Sequence, residues 1–306
     1  MDPIDRRHKI ETHRIIRCTS RHLERMLAYV ADHNPAGEHH IGYFGVTPED
    51  IRQSVLMLNL RYDRGFRLAT AGSEIAGVMG VDFDRAIGRA WLYGPVVTGD
   101  NRAATADALY AAVAKAIPAG IVEQEMFVDA RNVDCRDFAA RHGFAGHGEM
   151  AIYYITPERL AALPEAAAEP WDGRFADRLV ALHEQLFPRS NYTLAYMLDE
   201  FARGAALLLL TDGERLAGYF FGRAEPESGE AYVDLVGVDG AYRGRGLGRR
   251  LMLAGLAQLR RMPGLRQVNL TVALGNDPAM RLYDSLGFVR ERDMVAFLRR
   301  LSFVEM

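Results

Sequence analysis

One stretch of this chain occurs twice in the same form. "NVDCRDFAARHGF" runs from Asn132 to Phe144 and "NDPAMRLYDSLGF" from Asn276 to Phe288, with the asparagine and the Gly-Phe pair at the same offset. Upstream, "VTGDNR" (97–102) matches "VDGAYR" (238–243). Landmarks repeated at both ends of a half describe a duplicated domain, so each half has to close the same fold. The hydrophobic periods agree. In the first half "HRIIRCT" reads as a strand and "SRHLERMLAYVADH" as a helix with Ser20 at its N-cap. "FRLATAGSEIAGVMGVDF" reads as two strands turning at Ala71–Ser73; the strand "RAWLYGPVV", the helix "AATADALYAAVAKAI" and the strand "EQEMFVDA" follow. A short helix and the strand "MAIYYI" close the half. The second half repeats the order: the helix "RFADRLVALHEQLF", a hairpin turning at Asp212–Gly213, the strand "AYVDLVGV", a helix over 247–262, the strand "QVNLTVAL", a short helix and the strand "DMVAFLRRL". Antiparallel strands followed by strand–helix–strand, twice over, predict two α/β units, 1–156 and 173–306. The Pro-, Glu- and Ala-rich segment 157–172 reads as the linker between them.

Composition narrows the class. The chain has 306 residues, 49% apolar and 25% charged, which suits a soluble globular protein. A net charge of −3 argues against general nucleic-acid binding. The beginning, "MDPIDRRHKIETHRIIR", has no apolar core of the signal-peptide kind. No apolar run approaches the roughly 20 residues that cross a bilayer. Cys18 and Cys135 stand far apart without metal-ligand spacing, so a cytoplasmic protein without metal, membrane or nucleic-acid partners is expected. "GEHHIGYFG" (37–45) places two histidines side by side, a pattern more at home on a loop surface or an acceptor site than around a metal ion.

The segment Arg243-Gly244-Arg245-Gly246-Leu247-Gly248 lies between a strand and a helix. Amides at a helix N-terminus point outward unpaired, and the helix dipole adds positive charge there, so the layout suits an anion. Between Gly240 and Asn276 there are seven arginines and no acidic residue; Arg249, Arg250, Arg260 and Arg261 fall on one arc of the helix. A nucleotide-binding loop of the Walker type would place Lys-Ser/Thr after the last glycine, where Arg249-Arg250 stand. The dinucleotide fingerprint has a different glycine spacing and an acidic residue that is missing here.

Arg243-x-x-Gly246-x-Gly248 after the strand "DLVGV", followed by "NDPAMRLYDSLGF", resembles the GCN5-related N-acetyltransferases, the GNAT superfamily. The resemblance covers most of 174–300 and extends more weakly over the first half. It implies an α/β fold of two tandem GNAT-like domains, each a mixed, mostly antiparallel sheet flanked by helices with a splayed central strand pair. It also implies acetyl-CoA as cosubstrate. The amides of Arg243 to Gly248 would hold the CoA pyrophosphate. Backbone groups of Val236, Gly237 and Val238, with Asn276, would hold the pantetheine arm. The expected partner is a small-molecule amine, and the expected state a monomer or homodimer. The alternatives are acetylation of a peptide or protein N-terminus, and a CoA-binding regulator without turnover.

Acyl transfer to an amine needs a proton for the departing thiolate and a base for the amine. By the resemblance, Tyr283, in the middle of the second "Asn…Gly-Phe" helix, is the acid. Asp277 is expected to cap that helix, with Pro278 at its first position. Alternation along "EAYVDLVGV" puts Glu230, Tyr232, Asp234, Val236 and Val238 on one face. Asp234, mid-strand among apolar residues, is the expected base, and Glu230 the second candidate. Many family members carry the base one strand-step earlier than Asp234, where this chain has Tyr232. In the first half Ala103, Thr105 and Asp107 replace the three glycines and Ala139 replaces the tyrosine, so that half is expected to do no chemistry.

Overall fold

The computed structural model describes residues 13–188, 190 and 192–301; the expectations for residues 1–12 lie outside them. The first half runs β1 (Arg14–Arg17), α1 (Ser20–His33), α2 (Pro48–Leu56), α3 (Tyr62–Gly65), β2 (Arg67–Ala71), β3 (Glu74–Asp84), β4 (Arg89–Val97), α4 (Arg102–Val113), β5 (Glu123–Asp129), α5 (Val133–Arg141) and β6 (Ala145–Ile155). The second runs α6 (Pro157–Ala161), β7 (Glu169–Pro170), α7 (Ala176–Leu186), α8 (Leu194–Ala202), β8 (Ala206–Asp212), β9 (Arg215–Glu225), β10 (Glu230–Val238), α9 (Leu247–Leu259), β11 (Gln267–Ala273), α10 (Asp277–Ser285) and β12 (Val289–Arg300). The expected helices and strands are present within a few residues at their ends; α2, α3 and α8 are additions. Among the described residues no helix is long and apolar enough to cross a membrane.

These elements gather into two compact units, Met1–Met150 with Arg292–Met306, and Ala151–Glu291. Strands of the first lie in the order β1-β2-β3-β4-β5-β12, and those of the second in the order β7-β8-β9-β10-β11-β6. Counted from the start of each half, the order is the same. The last strand of each half, however, is exchanged. β12 runs antiparallel to β5, Met294 opposite Asp129 through Arg300 opposite Glu123. The units are therefore not cut where the sequence suggested, within 157–172. That segment lies inside the second unit, where Leu163, Ala166 and Ala168 pack on its core.

Both units share one device. β4 runs parallel to β5 only over Arg89–Trp91, and β10 runs parallel to β11 only over Glu230–Val233. Beyond those points the strands separate while β3 and β9 continue to pair with β4 and β10 on their other sides. In the second unit β9 and β10 carry one core on each face. Phe220, Leu251, Met252 and Leu256 form the α9 side, and Phe175, Leu179, Met197, Tyr219 and Phe221 the α7–α8 side.

The helix starts differ from expectation by one residue. Thr19, in extended conformation, is the N-cap of α1, not Ser20. Asn276 is the N-cap of α10, its side chain accepting from the Ala279 amide at 3.4 Å; Asp277 and Pro278 fill the first turn. Asn132 caps α5 in the same way, accepting from the Cys135 amide at 3.0 Å. The asparagine of the repeated stretch thus does the same structural work in both halves.

Candidate active site

The site is assembled where β10 leaves β11. Register with β9 shifts between Val233 and Leu235, so Asp234 is the extra residue of a β-bulge. A bulge breaks the two-residue alternation of a strand. Ala231 and Val233 belong to the α9 core, as do Val236 and Val238 after the bulge, whereas Leu235 belongs to the α7–α8 core. The expected common face is thereby corrected: Val236 and Val238 do not share a face with Glu230, Tyr232 and Asp234. Gly237 turns to the α7 side, where an added Cβ would come within 2.7 Å of Leu186 and 3.0 Å of Tyr219. From Leu235 to Val238 the strand pairs with β9 alone, leaving the edge toward β11 open for a ligand's amide groups.

β10 leads into the glycine loop, and here the backbone is arranged for an anion. Gly244 and Gly246 have φ of +75° and +74°, in the left-handed region that suits glycine, and Gly246 is the N-cap of α9. The first helical bond is donated by Arg250 to the Gly246 carbonyl at 3.1 Å. Among the described residues, the amides from Gly244 to Arg249 have no protein acceptor. A run of unpaired amides at the positive end of a helix is what a pyrophosphate needs. Gly248 is different: its φ is ordinary, and an added Cβ would meet only Leu282 at 3.6 Å and Val238 at 3.9 Å. Neither backbone strain nor crowding inside the protein calls for a glycine there.

The arginine arc is mostly engaged elsewhere. Arg249 donates to the Ser285 hydroxyl at 2.9 Å, Arg250 to the Ala167 carbonyl at 2.7 Å, and Arg260 to Glu165 at 2.7 Å. These side chains fasten the 163–168 segment and α10 to α9, so the expected basic face is largely a packing device. Arg243 and Arg245 of the loop are exposed, Arg245 lying over the Tyr242 ring, 5.3 Å from its centroid.

Tyr283 is the half-buried tyrosine of α10. Its ring packs against Tyr153 and Phe288 at 6.1 and 5.9 Å, and burial pushes its hydroxyl up to about 12. Among the described residues no side chain bonds that hydroxyl, so it keeps a proton at neutral pH and has it to give.

The two carboxylates differ in surroundings. Asp234 is 5% exposed, and Arg223 grips both of its oxygens at 2.9 Å while the Tyr192 hydroxyl donates to one of them at 2.9 Å. Burial opposes the charge on Arg223, but the bonds and charge of Asp234 more than offset it and hold the guanidinium well above its ordinary range. Burial and the Asp234 charge likewise push the Tyr192 hydroxyl up. Both oxygens of Asp234 are thus occupied by the guanidinium, and an incoming amine would have to displace it. Glu230 instead takes neutral donors: Tyr232 at 2.7 Å, Gln267 at 3.0 Å and Asn269 at 3.1 Å, with Arg266 at 3.8 Å. The geometry reverses the expected order of the two. Sequence reasoning missed Arg223, Tyr192, Gln267 and Asn269. The first was within reach, because the hairpin places Arg223 opposite Tyr232, diagonal to a carboxylate that had to be paired.

In the first half the corresponding loop is no loop. Helix α4 already begins at Arg102, the residue aligned with Arg243, and the Thr105 amide donates to Asn101 at 3.1 Å. Thr105 is buried against His13, their side chains 2.7 Å apart, and Arg102 pairs with Asp134 at 3.2 Å. Burial alone would raise the Asp107 carboxyl; bonds from Arg141 and His142 bring it below its ordinary range. Asp107 is therefore neutralised locally. His40 is buried, bonded to the Asn34 carbonyl at 2.8 Å, and His39 packs against His33.

Two units with a splayed parallel strand pair, one of them carrying a loop of unpaired amides, define a tandem α/β fold. A GCN5-related N-acetyltransferase from Sphaerobacter thermophilus shares that fold with a TM-score of 0.72 at 18% identity, over 95% of this chain and 96% of that one. A tandem GNAT protein from the clavulanic acid biosynthesis pathway shares it with a TM-score of 0.61 at 17% identity, over 94% and 98%. Residues 171–288 match the model of the Acetyltransferase (GNAT) family. The mycothiol acetyltransferase of Actinosynnema mirum is 35% identical over 155 residues, 45% of this chain and 51% of that protein. That of Thermobispora bispora is 36% identical over 154 residues, 44% and 50%. The chain thus spans about half the length of the curated relatives it matches.

Proposed function

We propose that the protein is a cytoplasmic, acetyl-CoA-dependent N-acetyltransferase that acts on a small-molecule amine, with its chemistry in the Ala151–Glu291 unit. The observation that carries this reading is the run of unpaired amides from Gly244 to Arg249 at the mouth of a splayed strand pair. In this reading the amides of Arg243 to Gly248 hold the pyrophosphate, and the open edge of Val236–Val238 holds the pantetheine arm. Asn276 uses its side-chain oxygen as a helix cap, which leaves its amide nitrogen to face the ligand. The amine attacks the thioester directly; Glu230 is the base, and Tyr283 protonates the departing sulfur. Asp234 holds the bulge in shape.

The likeness to proteins named mycothiol acetyltransferase supports a small-molecule amine as acceptor. The test is a screen of small amines for CoA release with purified protein. Turnover with small amines supports the reading; acetyl-CoA binding without turnover on any amine would replace it with that of a CoA-binding regulator.

A further inference from the structure

The base just assigned does not stand alone. Tyr232 and Val233 are the last residues of β10 that pair with β11, opposite Asn269 and Leu270, so Tyr232 sits at the point where the two strands part. Its hydroxyl donates to Glu230 Oε2 at 2.7 Å. The same oxygen accepts from Asn269 at 3.1 Å, and the other from Gln267 at 3.0 Å. Gln267 also donates to the Asn269 side-chain oxygen at 3.0 Å. The carboxylate is thus fixed by neutral donors from β11 and joined to the splay by one phenol.

We infer that Tyr232 is a catalytic residue: a proton relay that carries the acceptor amine's proton to Glu230. This rests on the acetyltransferase reading above. The amine nitrogen forms its bond to the thioester carbonyl carbon with its lone pair. As it does so, one N–H proton passes to the Tyr232 oxygen and the phenol's own proton passes along the existing hydrogen bond to Glu230. The C–S bond then breaks, and the sulfur takes the proton of Tyr283. Amide and thiol leave with Glu230 protonated and Tyr283 ionised; one proton returns between them through solvent, and no other reactant is consumed.

The neighbouring charges fit this division of labour. On β9, Arg223 lies opposite Tyr232 and Glu225 opposite Glu230. Arg223 is committed to Asp234 through two bonds of 2.9 Å. Ahead of β11, Arg266 stands 3.8 Å from Glu230, beyond hydrogen-bond reach. From the segment before α8, Tyr192 is directed to Asp234 and not to Glu230. Glu230 is therefore the carboxylate whose hydrogen bonds come from neutral side chains, with Arg266 as an ion-pair partner at 3.8 Å.

The experiment compares Tyr232→Phe, Glu230→Gln and the double variant with the wild type, using the best amine from the CoA-release screen. Rates are read between about pH 6 and about pH 10, a span that includes the titration of ordinary amines. Calorimetric binding of acetyl-CoA reports that each variant keeps its fold and its cosubstrate. A relay predicts that each single change lowers kcat by roughly 10²–10⁴, the range of general-base catalysis. The double variant should fall no further than the worse single one, because both act on the same proton. Loss should be smallest at the alkaline end, where the amine arrives neutral. An unaltered profile in Tyr232→Phe, damage confined to Glu230→Gln, or losses that multiply in the double variant would each overturn the relay while leaving the acetyltransferase reading in place. A wild type that binds acetyl-CoA but acetylates no amine overturns both.

Discussion

Replacing Gly248 by alanine should stabilise the protein and weaken acetyl-CoA binding, two effects of opposite sign from one methyl group. Gly248 lies in the first turn of α9 with ordinary φ, and the new Cβ would meet Leu282 at 3.6 Å and Val238 at 3.9 Å, both normal contacts. Alanine is better than glycine inside a helix by roughly 0.5–1 kcal/mol, through the lower entropy of the unfolded chain. For a unit of this size that corresponds to a rise in Tm of roughly 1–4 °C. The same methyl group projects where the pyrophosphate is proposed to rest on the amides. Crowding of a packed site typically costs about 1–3 kcal/mol, which is roughly 5- to 150-fold in Kd. Thermal unfolding of the ligand-free protein and isothermal titration with acetyl-CoA measure the two signs separately. Gly246→Ala is the control: with φ of +74° any side chain there is strained, by about 1–2 kcal/mol, so Tm should fall. A Gly248→Ala variant that melts lower than the wild type, or binds acetyl-CoA equally well, would mean that this glycine serves the fold and that the loop is not the anion site.

Further outcomes follow from the side chains around the splay. Tyr283→Phe should lower kcat by roughly 10²–10⁴ with acetyl-CoA affinity kept, measured by steady-state rates and calorimetry; an unaltered kcat removes it from the chemistry. Because burial pushes that phenol up to about 12, it stays protonated to that pH, so the alkaline limb of the rate profile below about 12 should be the same in shape whether residue 283 is Tyr or Phe. The same shift makes a stability statement: the folded state retains this proton when the unfolded chain, near the usual value of about 10, has lost it. Its contribution is whole below about pH 10 and lost as pH rises through about 12, to be read as a steeper fall of Tm with alkali in wild type than in Tyr283→Phe. Asp234→Asn leaves the half-buried Arg223 without its counter-charge, which should cost roughly 1–3 kcal/mol and lower Tm by roughly 2–12 °C, while the acidic limb of the rate profile persists; loss of that limb with Tm intact would return Asp234 to the role of base.

What the sequence made legible was whatever depends on local period and local chemistry. Alternation located β9 and β10, the Asp212–Gly213 turn located the hairpin of β8 and β9, and the glycine loop suggested the proposed anion site because positive φ and unpaired amides are properties of a few consecutive residues. The strand exchange was not legible. "MAIYYI" and "DMVAFLRRL" alternate alike, so either fits beside β5 or β11, and nothing local chooses between them. Nor was the bulge at Asp234 legible, since one extra residue leaves an apolar strand looking regular while reversing every side chain beyond it. That single residue moved Val236 and Val238 to the α9 side. The arginine arc misled for a related reason: periodicity reports which residues share a side, not whether Glu165, Ala167 and Ser285 already occupy it.

On the proposed reading, the duplicated fold divides into a working and a supporting copy without losing its frame. Both keep the asparagine cap, the short parallel contact and the splay beyond it. They part over a few consecutive residues. With Ala103, Thr105 and Asp107 in place of glycines, α4 starts at Arg102 and its amides enter the helix, whereas Gly244 and Gly246 delay α9 to Leu247 and leave amides exposed. The strand pair changes polarity as well. At the positions of Glu230 and its partners Gln267 and Asn269, the first half has Arg89 bonded to Glu123 at 2.7 Å and Glu125 at 2.9 Å. There the carboxylates are bonded by a guanidinium at the place where, in the second half, Glu230 is bonded by a phenol and two side-chain amides. The residues proposed as anion loop, acid and base are thus missing together from one copy, each replaced by contacts internal to the protein, which is the pattern the proposed division of labour requires.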